Sequence, residues 1–483
     1  SSSAASDVYK RQLELWADWT GSWSMNQTNS SPINNSVWSV LVEGIPEGTW
    51  SWGVYCNDTS GNEDWSDSNR TITVDTTPPT ITLPYYDNST IKNSSQTLTL
   101  NISVTDVLTV PQACYVYVEG QAVNQTLPYA NGWCNGTITL GNAAEGRSAI
   151  YVYSNDSANN FALNDSYIVT IDETYPTAYF GTNPVNGLTT SETSITFETY
   201  CIDETGLGQL EMWTDWTGSW HANQTNSTPI NNSVWSVLVE GIPEGVHLWG
   251  ARCIDSAGHE DWTDSNRTLT VDTTPPTVSL SSPIPDFNTT SESIIFQFTA
   301  TDSLASTLSC DLVINGSAVD TNSSVLNNTL TTFTQSSLSE GLDQTWTVNC
   351  SDSASNSNQP SARTFSIDRT GPSIAFPYYT NATKKTSSQT LTLNLSVSDT
   401  GIGPDTCLVH IEGQSANQTI PYVSGWCNGS ISLVGSNEGN STIYAYANDT
   451  LNNFGLNDSY VICLLYTSPS PRDRTRSRMP SSA

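Results

Sequence analysis

WGARCIDSAGHEDWTDSNRTLTVDTTPP, residues 249–276, decides how this chain is organised. It reads as a strand ending in Cys253 and Asp255, a turn at Gly258, a second strand from Arg267 to Val271, then the break Asp272-Thr273-Thr274-Pro275-Pro276. The stretch is the end of one folding unit and the start of the next. Residues 52–79 repeat it almost letter for letter, and looser copies run from 346 to 372 and from 150 to 176. A chain that repeats its own seam is a string of modules.

Working outward, matching positions set the register of the string. LELWADWTGSW at Leu13 returns as LEMWTDWTGSW at Leu210, and SSQTLTLN at Ser94 returns at Ser387. Those offsets are near two and three times one module of about 100 residues, the size of an immunoglobulin-type sandwich. The expected division is a truncated type A module over 13–75, type B over 76–172, a complete type A over 173–272, a divergent type C over 273–368 and a second type B over 369–462. Residues 1–12 and 463–483 resemble translated sequencing adapter: DVYKRQ and CLLYTS are translations of two DNA strings that are largely each other's reverse complement. The genuine segment is thus expected to be internal to a longer protein.

Every segment favours strands. In 98–104 and 391–397 apolar residues alternate strictly with polar ones, the period of a half-buried strand, and no stretch carries an amphipathic helical pattern. The runs 194–203, 234–242, 246–255 and 267–272 are expected strands of the complete type A module. Cys201, on its second strand, and Cys253, on its sixth, share the parity of apolar neighbours and should point inward. Trp213 is a candidate packing partner for that bridge.

Without its ends the segment holds nine basic and 45 acidic residues, a net charge of −36. Such a field repels nucleic acid and anionic membrane and attracts cations. Apart from Cys463, nine cysteines remain, and eight sort by module as Cys114 with Cys134, Cys201 with Cys253, Cys310 with Cys350 and Cys407 with Cys427. Cys56 is left over, because the step that separates Cys201 from Cys253 reaches from Cys56 into the adapter-like stretch. Pairing implies an oxidising compartment.

The strand endings C-x-D-x-x-G-N and N-D-x-x-N-N, followed by the V-D-T-T-P-P seam, resemble the tandem Ig-like repeats of prokaryotic cell-surface proteins and adhesins. The cysteines and the many glycosylation sequons look more like archaeal surface glycoproteins. The resemblance implies an all-β series of Ig-like or fibronectin-like sandwiches and a stalk, adhesin or surface-layer role, often with calcium at domain junctions. Its partners would be an extracellular ligand, carbohydrate or protein, and the neighbouring modules of the same chain. Similar modules also decorate secreted polysaccharide-degrading enzymes, so accessory modules of such an enzyme are the alternative.

One constellation carries chemistry. Each module has an aspartate at its incoming seam (Asp75, Asp172, Asp272, Asp368), one at the end of the second strand (Asp106, Asp203, Asp302, Asp399) and one at the end of the sixth (Asp156, Asp255, Asp352, Asp449). In a sandwich of this topology all three positions lie at one pole. Hard oxygen ligands without basic neighbours suit Ca²⁺; Asp also favours strand ends simply to cap local N–H groups.

Twenty-eight of 43 asparagines open N-x-S/T sequons, more than twice the chance expectation, and Asn101, Asn349 and Asn394 sit at outward parity as candidate glycan carriers. Asn155 and Asn448, beside strand-ending aspartates, are poorer acceptors if a metal binds there. Type A tryptophans Trp16, Trp19, Trp23 and Trp38, with Trp213, Trp216, Trp220 and Trp235, are core residues or a platform for sugars, with Trp16, Trp19, Trp213 and Trp216 the candidates for the latter. No catalytic constellation is expected. His221, His247, His259 and His410 share no repeated partnership, and Glu63-Asp64 and Glu260-Asp261 lie in a repeated loop.

Overall fold

The structure, a computed structural model, describes residues 10–465. Most of the adapter-like ends lies outside the described residues, while Lys10–Ala17 and Phe454–Leu465 run as strands through the remainder. Among the described residues there are 40 strands and no helix. They form two compact units, one built from residues up to 186 with 195–239 and 248–268, the other from 187–194, 240–247 and 269 onward.

In the first unit the type B sandwich shows how the pattern becomes a core. Strand Thr97–Thr105 buries Leu98, Leu100, Ile102 and Val104 and turns the residues between them outward. It lies between Thr80–Thr82 and Trp133–Thr139. The facing sheet carries Pro111–Val118, Gly146–Asp156 and Phe161–Ile171. Gln125–Ala130 pairs with both sheets and closes one edge. The Cys114–Cys134 disulfide crosses between the sheets, with Cα atoms 6.0 Å apart.

The complete type A module sets Ile195–Ile202 between Thr177–Phe180 and Trp235–Val239. Facing it, Leu207–Thr214 pairs with His221–Asn226 and with residues 249–255. Cys201 and Cys253 join the two sheets, Cα to Cα 6.0 Å, among Ala178, Leu210 and Ala251. Trp213 is not their packing partner. Leu210, Met212 and Thr214 take the inward positions of that strand, so period-two alternation turns Trp213 to the outer face. The buried indole is Trp249, edge-on to Phe180 and Phe197. In the earlier type A copy, residues 38–42 form no strand and Leu41 is exposed, because no equivalent of Ile195–Ile202 stands beside them among the described residues.

The second unit contains the type C and second type B sandwiches. In type C, Ile294–Thr301 lies between Thr277–Ser282 and Thr329–Gln335. Phe296, Trp346 and Phe365 fill its core. Its disulfide differs in kind: Cys310 and Cys350 are direct cross-strand partners in one sheet, with Cα atoms 4.1 Å apart. The second type B module repeats the first, with Thr390–Ser398 against Trp426–Ser432 and Cys407–Cys427 between sheets. Cys56 and Cys463 lie outside the four disulfides.

Burial separates the two tryptophans energetically. Trp249→Ala should cost about 3–5 kcal/mol by leaving a cavity, whereas Trp213→Ala should cost no more than about 1–2 kcal/mol. Urea denaturation of the two variants checks the order.

Candidate metal centres

The seam residue is held at its N–H by the sandwich it leaves. Asp172 N–H donates to Lys92 O, Asp272 N–H to Thr190 O and Asp368 N–H to Thr289 O, at 2.9–3.0 Å. The second-strand and sixth-strand ends arrive at the same pole. Four sets result: Asp75, Asp106 and Asp156; Asp172, Asp203 and Asp255; Asp272, Asp302 and Asp352; Asp368, Asp399 and Asp449. In every set one carboxylate oxygen from each residue lies within 4.8 Å of the other two. Nine of the twelve residues are buried, and Asp106, Asp302 and Asp399 are half-buried.

The two oxygens of these carboxylates have different work. At the second-strand end, Oδ1 caps the following turn: Asp106 accepts from Leu108 and Thr109 N–H, Asp203 from Thr205 and Gly206, Asp302 from Leu304 and Ala305, and Asp399 from Gly401. At the seam, Oδ1 of Asp75, Asp172, Asp272 and Asp368 accepts the N–H two residues on. These are the local caps that Asp makes at strand ends. Capping leaves the second oxygen unexplained. Oδ2 of Asp172, Asp203, Asp272, Asp302 and Asp399 is buried with no hydrogen-bond partner. An unpartnered buried carboxylate oxygen is costly unless something positive faces it.

Charge compounds the cost. Two carboxylates this close repel by a few kcal/mol even at an effective dielectric of about 20, and among the described residues no lysine or arginine forms an ion pair with any of the twelve. Burial, and then the charges of Asp302 and Asp352, push the Asp272 carboxyl above its ordinary range. Burial also raises Asp368, with Asp399 and Asp449 adding to it. Buried anionic oxygens on three strand ends, each oriented through its other oxygen, fit a hard divalent cation.

The four sets are not equivalent. In the type B modules the seam carboxylate's second oxygen is engaged, Asp75 Oδ2 accepting from Thr109 Oγ1 and Asp368 Oδ2 from Ile402 N–H. In types A and C both the seam and the second-strand residues keep Oδ2 open.

A supporting residue went unread in the sequence. Four positions after the strand-ending aspartate, Asn160, Asn356 and Asn453 each donate Nδ2 both to that residue's Oδ2, at 2.7–2.8 Å, and to the backbone carbonyl of the seam aspartate, at 2.7–3.0 Å. One side chain thereby ties the seam to the hairpin. His259 takes this place in the complete type A module, its Nδ1 3.0 Å from Asp255 Oδ2, and Asn62 does so beside Asp58 in the earlier copy. The D-x-x-x-N spacing was visible in the quoted motifs and is its signal. Asn231 and Asn327 likewise clamp the backbone of Asp203 and Asp302 from both sides. In the first unit, Asn93 and Gln96 of the type B module donate to Ala257 O, so the preceding module grips the turn beside Asp255.

The other candidates divide. Asn101 and Asn394 are exposed and Asn349 is half-buried. Trp213 joins Trp220, Trp262 and Arg252 on an outer face, the guanidinium 5.3 Å from the Trp213 ring, and Trp16 joins Trp65 in the earlier copy. Trp19 is buried and Trp216 lies against Phe197, so Trp16, Trp19, Trp213 and Trp216 do not form one row.

Residues 35–131 match the family model of the bacterial Ig-like domain (group 3), across the seam at Asp75. The chain is a series of Ig-like modules. It is similar to a tetra-tandem repeat in the extending region of a large adhesion protein (18% identity, 80% of this chain and 97% of that one, TM-score 0.29). It is also similar to a 1.5-MDa bacterial ice-binding adhesin (18%, 61% and 100%, TM-score 0.29) and to fibronectin(III)-like modules of CbhA from Clostridium thermocellum (15%, 40% and 94%, TM-score 0.26). No curated protein matches in sequence. No helix among the described residues is long and apolar enough to cross a membrane.

The raised Asp272 pKa fixes a sign. A carboxyl that holds its proton more tightly when folded loses stability as pH rises through the window between its ordinary and its raised value. In chelator, Asp272→Asn should therefore match wild type near about pH 3 and exceed it in melting temperature near about pH 7. Thermal melts across that range check it.

Proposed function

We propose that this chain is a non-enzymatic, extracellular run of a cell-surface glycoprotein, a stalk, adhesin or envelope component, whose module junctions are stiffened by Ca²⁺. The carrying observation is the fourfold Asp triplet, in which Oδ2 of Asp172, Asp203, Asp272, Asp302 and Asp399 is buried without a hydrogen-bond partner. A divalent cation held by Asp172, Asp203 and Asp255, or by Asp272, Asp302 and Asp352, neutralises carboxylates contributed by the seam and by both hairpins. That ties the incoming chain to the sandwich. Loss of the ion frees the seam.

Extracellular sites of this class bind at roughly 10⁻⁴ to 10⁻³ M, filled outside a cell and empty inside one. The disulfides fit the same compartment. Glycans at Asn101, Asn349 and Asn394 would cover sheet faces without entering the core. Nine basic against 45 acidic residues over 13–462 disfavour nucleic acid, so the partners are a surface or extracellular ligand, carbohydrate or protein, and the neighbouring modules.

At about 10 mM Ca²⁺, each filled site should add on the order of 1.5–2.5 kcal/mol. The whole chain should then melt several degrees higher than in chelator, and small-angle scattering should show a stiffer particle. Replacing all four seam residues, Asp75, Asp172, Asp272 and Asp368, by Asn should abolish both responses. An equal rise in the fourfold variant would refute the junction sites.

A further inference from the structure

Each type B module displays an aromatic pair that its core does not use. Tyr85 is 80% exposed and stacks on half-buried Trp133, with ring centroids 6.2 Å apart and planes at 17°. Tyr378, 72% exposed, repeats this on Trp426 at 5.9 Å and 16°. Trp133 opens the strand Trp133–Thr139, whose alternation buries Cys134 and Ile138 and sends Trp133, Asn135 and Thr137 to the outer face. Trp426, Asn428 and Ser430 repeat the arrangement.

Both triplets are sequons with tryptophan two residues before the asparagine: W-C-N-G-T and W-C-N-G-S. The glycine between acceptor and hydroxyl is fixed by packing, since a Cβ on Gly136 would stand 2.7 Å from Leu127 Cδ2 and one on Gly429 2.5 Å from Ile420 Cγ2. The asparagines are exposed, and their side-chain amides make no hydrogen bond among the described residues. Five other sequons differ. Asn93, Asn164, Asn231, Asn327 and Asn457 donate Nδ2 to backbone carbonyls at 2.6–3.0 Å, so the nitrogen that would carry sugar already holds the fold.

We propose that Asn135 and Asn428 carry N-linked glycans whose first sugar packs on the Trp133–Tyr85 and Trp426–Tyr378 pairs. The inference rests on the glycoprotein reading above and deepens it: here the glycan is part of the sheet surface. Two residues of strand are about 6.6 Å, a span that lets a pyranose on Nδ2 lay its C–H face over the indole. The donor is a lipid-linked glycosyl phosphate. The Nδ2–C1 bond forms as the C1–O bond to phosphate breaks, the electron pair leaves with the phosphate and one amide proton is released. Tryptophan and tyrosine present a broad, rigid apolar face at little entropic cost.

The test uses the full chain secreted from an N-glycosylating host and the same chain from a host that does not glycosylate. Glycopeptide mass spectrometry should find Asn135 and Asn428 occupied. Removing both sequons (Thr137→Ala with Ser430→Ala) should lower the melting temperature of the glycosylated chain by about 3–6 °C and leave the unglycosylated chain nearly unchanged. With Tyr85→Ser and Tyr378→Ser, exposed changes that spare the core, or with Trp133→Ser and Trp426→Ser, the drop should shrink. Occupied sites with an undiminished drop overturn the platform. Empty Asn135 and Asn428 beside occupied Asn101 and Asn394 overturn this proposal alone, and a chain with no occupied sequon overturns the glycoprotein reading as well.

Discussion

Three like charges forced together at one pole of each sandwich are the constraint on which the rest of this molecule turns. Asp172, Asp203 and Asp255 come from a seam and two hairpin ends, and the backbone leaves none of them room to turn away, because each spends one oxygen capping its own turn. One oxygen from each lies within 4.8 Å of the others. Asn160, Asn356 and Asn453 then lash the hairpin to the seam carbonyl. The pole is therefore prearranged; protonation lowers its electrostatic cost, and the proposed cation would do the same.

The pole works because the sandwich beneath it is rigid, and the modules reach rigidity by different routes. Types A and B carry the bridge between sheets, whereas type C joins neighbouring strands of one sheet and relies on Phe296, Trp346 and Phe365 for the crossing. A disulfide that closes a loop of some tens of residues contributes about 2–4 kcal/mol. Chemically different cores thus support the same triad of strand ends. The type B poles, where Thr109 and Ile402 satisfy the seam oxygen, are expected to hold an ion less tightly than those of types A and C.

Much of this was legible in the chain. Alternation in 98–104 and the recurring seams lead to sandwiches, since half-buried strands leave a period that later packing rarely overrides. The aspartate spacing led to the poles because a repeated topology returns the same three points to one place. Side-chain choice within a layer was harder. Parity with Cys253 puts Trp249 inward from the sequence, whereas naming Trp213 a core partner leaves out its parity against Leu210 and Met212, which turns it outward. The Asn160 clamp was missed because its partners, Asp156 Oδ2 and Asp75 O, are 4 and 85 residues away, and the second is a backbone atom with no sequence signature. The same limit hid the type C disulfide geometry: spacing gives a pair of cysteines, but register decides whether they face across sheets or within one.

The most direct measurement is the number of Ca²⁺ ions bound per chain, by equilibrium dialysis at millimolar free calcium. The account predicts close to four, and two when Asp203 and Asp302 are both changed to Asn. A chain that binds no ion, or a variant that binds as many as wild type, would contradict it.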